Sequence, residues 1–171
     1  MRRAVIAATS ALALAGAAPP PGQPQPGAAC DISAYVTDWD AHGLNIRSAP
    51  SASAPVLRVV SNAGSPVARI TGWSGAWFRV SSIVEAENDV NLFQGDGWVH
   101  GSLLGLSVAN ADPRLYARPS VHSRALARLV PDETRLTLIG CAGNWAMVRA
   151  AGRVGWLSPD GQCSNPLTTC S

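Results

Sequence analysis

Positive charge is scarce in this sequence of 171 residues, and none of it comes from lysine. All 13 cationic side chains are arginines, against 11 acidic residues. Two of these arginines, Arg2 and Arg3, stand at the very start, so the remainder of the chain is formally neutral. A surface that binds nucleic acid needs a clustered basic excess. The charge balance therefore does not support a nucleic-acid partner.

The chain also has no apolar run near its start that could span a bilayer, which takes roughly 18 to 20 residues. Residues 4–18 are uncharged and rich in Ala and Leu, follow two arginines and end in small residues. This pattern predicts a secretory signal peptide over residues 1–17. Residues 18–29, rich in Pro, Gly and Gln, predict a disordered linker. We expect a secreted or periplasmic protein without a membrane anchor after signal cleavage.

Motifs for catalysis and metal binding are missing. A serine nucleophile elbow requires Gly-x-Ser-x-Gly, whereas residues 72–75 read Gly-Trp-Ser-Gly and predict a hairpin turn. Acidic pairs fall in predicted loops, which rarely hold two carboxylates across a glycosidase cleft. The cysteines lack metal-ligand spacing, and of three dispersed histidines only His100, next to Trp98, is a candidate ligand contact. We predict no catalytic activity, no cofactor and no metal.

What the sequence does contain is an internal duplication. Four landmarks recur in the same order, which indicates two related units in tandem. The landmark pairs are residues 44–51 with 115–120, 56–60 with 126–130, 72–77 with 140–145, and 97–99 with 155–157. We call residues 30–106 the first unit and residues 107–163 the second unit. Residues 164–171, which include Cys170, form a C-terminal tail.

Both units predict an all-β structure. Short apolar segments alternate with turn residues and show no helical period, which is typical of a barrel or sandwich. In the first unit we expect strands at residues 34–37, 44–47, 56–60, 67–71 and 77–80. Within residues 44–47, the alternation places Leu44 and Ile46 on the core side. Pro50 bars a regular central strand and predicts a loop up to Pro55.

These segments carry a resemblance to a known family. Residues 44–51, with the sequence Leu-Asn-Ile-Arg-Ser-Ala-Pro-Ser, together with residues 72–80 and 97–99, resemble the bacterial SH3 domain (SH3b) family. The second unit departs from the family at Tyr116, where Asn is usual, and at Ala117, where a larger aliphatic residue is usual. The resemblance implies two tandem SH3-like small β-barrels.

The same resemblance implies a function. Such barrels are often binding modules of cell-wall enzymes or envelope proteins, although fold alone does not carry function. We expect an exported, non-catalytic, monomeric module that recognises a cell-envelope ligand, either a cell-wall peptide or glycan or another exported protein. Two alternatives stay open: a structural or inhibitory partner of an exported enzyme, and an uncharacterised hydrolase.

The candidate ligand site lies in the first unit. Because Phe78 and Val80 should face the core, Trp77 and Arg79 fall on the opposite face. Residues 82–96, which the second unit lacks, predict a long loop, and such loops are either functional or disordered. We predict a shallow groove for a cationic or amphipathic peptide; core or rim packing of the tryptophans is the alternative. The six candidate residues are Trp77, Arg79, Glu85, Glu87, Phe93 and Trp98.

Four cysteines in an exported chain predict two disulfides. Cys141 follows one predicted strand and Cys163 follows the strand of Trp156, so a Cys141–Cys163 bond would close the second unit. That choice leaves Cys30 to pair with Cys170. The rival arrangement has a small loop closed by Cys163 and Cys170.

The join between the units is short. Only residues 105–107 separate Leu104 from the next expected strand, so the two units should pack closely. We expect Leu103, Leu104 and Leu106 to be buried at this junction.

Overall fold

The computed structural model describes residues 28–38, 40–109, 112–131, 136–150 and 152–164. Within these ranges the structure is all β, with two short 3-10 helices, Gly101–Leu103 and Pro159–Gly161, and no α-helix. The predicted fold class is confirmed. The predicted signal peptide, the linker up to residue 27 and Cys170 lie outside the described residues.

Each unit contributes seven strands. Those of the first unit are β1 (Ile32–Val36), β2 (Leu44–Arg47), β3 (Val56–Val60), β4 (Pro66–Ser74), β5 (Trp77–Glu85), β6 (Val90–His100) and β7 (Leu104–Gly105). Those of the second unit are β8 (Ser107–Val108), β9 (Arg114–Tyr116), β10 (Ala125–Arg128), β11 (Thr137–Ala142), β12 (Trp145–Ala150), β13 (Arg153–Leu157) and β14 (Gln162–Cys163).

The two units share one strand order. In the first unit the order is β3-β2-β6-β5-β4-β1-β7, in a single antiparallel sheet that we call the first sheet. The second unit has a five-stranded sheet, β10-β9-β13-β12-β11, and a separate pair, β14-β8. Each strand of the second unit thus corresponds to the strand seven numbers earlier, with one break between β11 and β8. The strand order of the second unit therefore matches that of the first apart from this break.

The core of the first sheet follows the predicted alternation. Leu44, Ile46 and Val80 are fully buried, and Phe78 is 1% exposed. The residues between them, such as Arg79, point the other way and are exposed. The predicted phases of β2 and of the start of β5 are confirmed, because period-two alternation places successive side chains on opposite faces.

Residues 82–96 are not a loop, and that prediction is wrong. β5 continues to Glu85 and β6 begins at Val90, so only residues 86–89 form a turn. The two strands stay paired along this segment, for example Ile83 opposite Phe93, and β4 pairs with β5 on the other side. Ile83 is fully buried. The segment is a hairpin extension that adds to the core.

The segment before β1 lies between the two units. Cys30 donates its backbone N–H to the carbonyl of Thr71, 3.0 Å away, in the first unit. Its neighbour Asp31 donates to Gly143 of the second unit at 2.7 Å, and Gly143 donates back to Ala29 at 2.9 Å. These hydrogen bonds place residues 29–31 beside the end of β11.

A disulfide joins Cys30 to Cys141 at this place. The predicted bonds Cys141–Cys163 and Cys30–Cys170 are therefore wrong. The physical reason is non-local: residues 29–31 hydrogen-bond to the second unit, which no local spacing reveals. Cys163 is also disulfide-bonded, whereas Cys170 lies outside the described residues. The rival pairing of Cys163 with Cys170 stays a prediction.

The junction between the units is tightly packed. Leu104 and Leu106 are buried, at 4% and 2% exposure, as expected, and Leu103 is partly buried. The hydroxyl groups of Tyr35 and Ser107 lie 3.0 Å apart and form a hydrogen bond across the join. Apolar burial and polar contacts together hold the two units against each other.

Candidate functional site

The side of the first sheet opposite Leu44 and Ile46, which we call the outer face, presents a row of three large side chains. Trp98 of β6 lies directly opposite Arg47 of β2 and Arg79 of β5. Directly paired residues of antiparallel strands project to the same face and contact one another. Arg47, Trp98 and Arg79 therefore form one row across three strands.

Trp77 and His100 form the neighbouring row. They are paired across β5 and β6, and their rings meet edge to face, with centroids 5.1 Å apart and an angle of 81°. Trp77 follows the turn at Gly75, whose φ of 57° suits a glycine. The turn thus places a half-buried indole at the end of the sheet, where Phe78 already fills the core position.

A cleft of about 260 Å³ opens beside this aromatic pair. We call it the Trp77 cleft. Its walls come from β2, from the loop after β2, from the start of β5, from the end of β6 and from the first 3-10 helix. The lining residues are Asn45, Arg47, Ala52, Trp77, His100, Ser102 and Leu103.

Hydrogen bonds fix the polar groups of the cleft. The Arg47 guanidinium donates to the carbonyl of Ala54 at 2.8 Å, which ties the loop to β2. The Nδ1 atom of His100 lies 2.7 Å from the Ser102 hydroxyl and accepts the Ser102 backbone N–H at 3.4 Å. Because Nδ1 acts as an acceptor, the ring proton of a neutral imidazole lies on Nε2. That N–H is a second donor for a ligand, beside Arg47.

The charge near the Trp77 cleft is positive. Among its lining residues Arg47 is charged and none is a carboxylate. Arg79, next along the face, forms an ion pair with Asp96 at 2.7 Å. Glu85 lies eight residues further along β5, roughly 26 Å from Trp77 at about 3.3 Å per residue. Glu87 lies beyond it in the turn.

Phe93 lies on the other side of the sheet. It is paired with the fully buried Ile83, and a Cβ atom added at Gly97 would lie 3.4 Å from the end of the Phe93 ring. Phe93 thus packs against the core. Of the six predicted site residues, the structure brings Trp77, Arg79 and Trp98 together, and it places Glu85, Glu87 and Phe93 elsewhere. Ligand binding by these residues stays a prediction.

Sequence reasoning did not include Arg47 and Asn45 in the site. Their position on the outer face could be predicted, because they alternate along β2 with the core residues Leu44 and Ile46. Their proximity to Trp77 could not be predicted, because it depends on the register between β2 and β6, which are separated by three other strands in the chain. His100 carried one signal, its position two residues after Trp98.

The second unit has a different aromatic pair at the corresponding place. Trp145, which follows the Gly143 turn, meets Tyr116 edge to face with centroids 5.7 Å apart. Trp156 lies beside Tyr116 and is only 3% exposed, and Met147 stands where the first unit has Arg79. This face therefore lacks the arginine row of the first unit.

Two features are absent from the ranges of the chain that the structure describes. Across those ranges, no set of three or more His, Cys, Asp or Glu side chains is arranged to hold a metal ion. In the same part of the chain, no helix has the length and apolar character to cross a membrane.

The comparison with protein families agrees with this geometry. The family model of the bacterial SH3 domain matches residues 42–105. This segment runs from the turn before β2 to the end of β7 and contains most of the Trp77 cleft. A search of curated proteins found no match to this chain. Residues 42–105 of the protein are a bacterial SH3 domain.

Proposed function

We propose that the protein is an exported, non-catalytic binding module of the bacterial cell envelope, and that the Trp77 cleft holds its ligand. Bacterial SH3 domains form a family of binding domains, commonly related to the cell wall. The disulfide between Cys30 and Cys141 fits an oxidising, exported setting. The ligand is a cell-wall peptide or glycan, or a segment of another exported protein.

The observation that carries this proposal is the half-buried Trp77 in edge-to-face contact with His100 beside a cationic side chain. Binding sites are typically concave and mostly apolar, with a few fixed polar groups. Aromatic walls supply much of the contact energy in such sites. Here Arg47 and His100 supply directed donors within an otherwise apolar cleft.

The charges near the Trp77 cleft indicate which type of ligand it can bind. The sequence favoured a cationic or amphipathic peptide because of the acidic residues 85–89. Those residues lie at the far end of the hairpin, and Arg79 is paired with Asp96, so Arg47 sets the charge of the cleft beside Trp77. We therefore propose an amphipathic ligand with an apolar group against Trp77 and a carboxylate or other acceptor near Arg47, because arginine pairs well with carboxylates.

The second unit is, in this proposal, a diverged SH3-like barrel that supports the first. Its strand order repeats that of the first unit, and its Gly-Trp landmarks occupy the same places. Its outer face has Met147 in place of Arg79 and a buried Trp156. The second unit therefore lacks the counterpart of Arg79 and has no accessible counterpart of Trp98.

Two parallel assays separate the candidate ligands. The mature protein is incubated with isolated peptidoglycan, and separately with an envelope extract from which bound proteins are recovered. Binding to peptidoglycan without release of soluble fragments supports a non-catalytic wall-binding module. Recovery of one exported enzyme, with no binding to peptidoglycan, would favour the structural or inhibitory role. Fragment release that persists through purification would overturn the non-catalytic assignment.

A further inference from the structure

The strand β3 leaves apolar side chains exposed at the edge of the first sheet. It stands first in the strand order, and no other described residue pairs on its far side. Val56, Leu57 and Val59 are 44%, 52% and 49% exposed, and Arg58 is the one charged residue of the strand. Native proteins usually shield such edges with charges, bulges or a covering element. An apolar, open edge is a template for another strand.

The exposed valines of β3 lie on the same face of the sheet as the Trp77 cleft. Val59 lies opposite Asn45, and Val56 lies opposite Arg47. Asn45 and Arg47 line the Trp77 cleft, so the two valines extend its face to the margin of the sheet. A peptide beside β3 would therefore bury Val56 and Val59 without occupying the cleft.

The two ends of β3 differ in charge. Beyond Val60, a cavity of about 500 Å³ is lined by Asp40 and His42 on one side and by Val59 and Asn62 on the other. The Asp40 carboxylate is 60% exposed. Its backbone carbonyl accepts hydrogen bonds from Asn62 and Gly43 at 2.8 and 2.9 Å, which hold the turn in place. The carboxylate itself accepts the backbone N–H of His42 at 2.9 Å, and the Nδ1 atom of His42 lies 2.8 Å from it. This end of the strand therefore presents an exposed carboxylate held beside His42.

The opposite end presents a positive charge. Arg47 lies beside Val56, and its guanidinium is held by the carbonyl of Ala54 just before β3. A strand added antiparallel to β3 would begin near Asp40 and end near Arg47. Its amino terminus would face the carboxylate and its carboxyl terminus the guanidinium. A parallel strand would meet the same charges in the unfavourable order.

We propose that β3 is a strand-addition site for an extended segment of an exported partner protein, with alternating apolar side chains and an amino group or cationic residue at its N-terminal end. The segment pairs antiparallel with β3 and places its positive end beside Asp40. Backbone hydrogen bonds supply the affinity and the alternate side chains supply the selectivity, as in other cases of strand addition. This site borders the Trp77 cleft and shares Arg47 with it, but it does not include Trp77.

The probe is a pair of hexapeptides of sequence Val-Thr-Val-Thr-Val-Thr, one with a free amino terminus and one acetylated. Six extended residues span about 20 Å, slightly more than β3. Backbone amide exchange of residues 56–60 is followed by NMR in the mature protein. We expect the free peptide to slow this exchange and to bind roughly twofold to fivefold more tightly than the acetylated one, the range for an exposed ion pair.

Variants test the surface. Leu57→Lys with Val59→Lys should weaken peptide binding at least tenfold, and the milder Val59→Thr should weaken it less, which guards against misfolding of the first variant. The matched control is Val121→Lys, since Val121 is 54% exposed in a loop of the second unit. Asp40→Asn should remove the preference for the free amino terminus while retaining binding.

Four outcomes would overturn the proposal. The first is that neither peptide slows amide exchange in β3. The second is that Val121→Lys weakens binding as much as the β3 variants do. The third is that Asp40→Asn still binds the free peptide more tightly than the acetylated one. The fourth is that the amides of β3 already exchange slowly without peptide. If this slowing increases with protein concentration, a second copy of the protein occupies the edge. If the slowing disappears when residues 18–27 are removed, the chain covers its own edge. Trp77→Ala should leave peptide binding unchanged, so failure here is distinguishable from failure of the Trp77 cleft.

Discussion

The indole N–H of Trp73 in the first sheet donates a hydrogen bond to the carbonyl oxygen of Cys141 in the second unit, at 3.2 Å. Trp73 is only 8% exposed, and its ring lies so close to Gly140 that an added Cβ atom would approach it to 3.2 Å. The contact stands next to the disulfide of Cys141 with Cys30. The orientation of the two units is thus set by packing as well as by a covalent bond.

Replacing Trp73 should therefore loosen this junction. Trp73→Phe removes the hydrogen bond and part of the ring, and we expect a loss of about 1–2 kcal/mol in the free energy of unfolding. Urea denaturation measures the change. The matched control is Trp77→Phe, at a half-exposed ring, which should change stability by about 0.5 kcal/mol or less. Equal losses in the two variants would contradict the role of Trp73.

The disulfide between Cys30 and Cys141 should contribute strongly to stability. It closes a separation of 111 residues, and long loops gain most from a crosslink that constrains the unfolded chain. The double variant Cys30→Ser with Cys141→Ser should lose about 2–5 kcal/mol, seen as a lower melting temperature. Peptide mapping of the unreduced protein should recover Cys30 linked to Cys141. A linked peptide of Cys141 with Cys163 would refute the pairing.

Gly97 and Gly72 of the first sheet should respond differently to substitution by alanine. A Cβ atom at Gly97 would collide with the Cγ2 methyl of Ile46, which is fully buried, whereas at Gly72 the nearest atoms are 3.8 Å away. Gly97→Ala should cost about 1–3 kcal/mol through overpacking. Gly72→Ala should stay within about 0.5 kcal/mol of the parent. Thermal unfolding of both variants checks the prediction, and a tolerated Gly97→Ala would count against the packing of β2 on β6.

The phases of the strands could be predicted from the sequence, because alternation is a local property. Leu44 and Ile46 are core residues for that reason. The hairpin at residues 82–96 was also accessible: β-branched Ile83, Val84 and Val90 flank a polar turn, which is a hairpin pattern. The acidic residues of that turn gave the false impression of a loop.

The site and the disulfide required information that no local pattern holds. Arg47 reaches the Trp77 cleft because β2 pairs with β6, and Cys30 reaches Cys141 because residues 29–31 hydrogen-bond to both units. Both facts depend on long-range register. The predicted groove included Phe93 because residues 82–96 were predicted to form a loop, whereas in the structure Phe93 pairs with Ile83 inside the hairpin.

A pH prediction concerns the second unit. The Asp112 carboxylate lies 2.8 Å from Arg114 and 2.7 Å from Arg128. The hydrogen bond from Arg114, helped by the charges of both arginines, lowers the pKa of Asp112 below that of an ordinary aspartate. Because the folded pKa is the lower one, this contribution to stability is present above the unfolded pKa and is lost as the pH falls through the folded pKa.

NMR titration of the Asp112 carboxyl carbon measures this effect. Arg114→Met should raise the pKa of Asp112 more than Arg128→Met does, because Arg114 supplies the largest share of the lowering. Identical titration midpoints in the parent and in Arg114→Met would show that the ion pair does not persist in solution.

The central claim, that the Trp77 cleft is the ligand site, is tested most directly by equilibrium binding to isolated peptidoglycan. The parent is compared with Trp77→Ala and with Trp145→Ala, which removes the corresponding indole of the second unit. Buried aromatic anchors typically carry 2 kcal/mol or more of binding free energy, roughly a thirtyfold change in affinity. We expect a loss of about that size for Trp77→Ala and parental binding for Trp145→Ala, with both variants folded. Unchanged binding by Trp77→Ala, or an equal loss in both variants, would contradict the account.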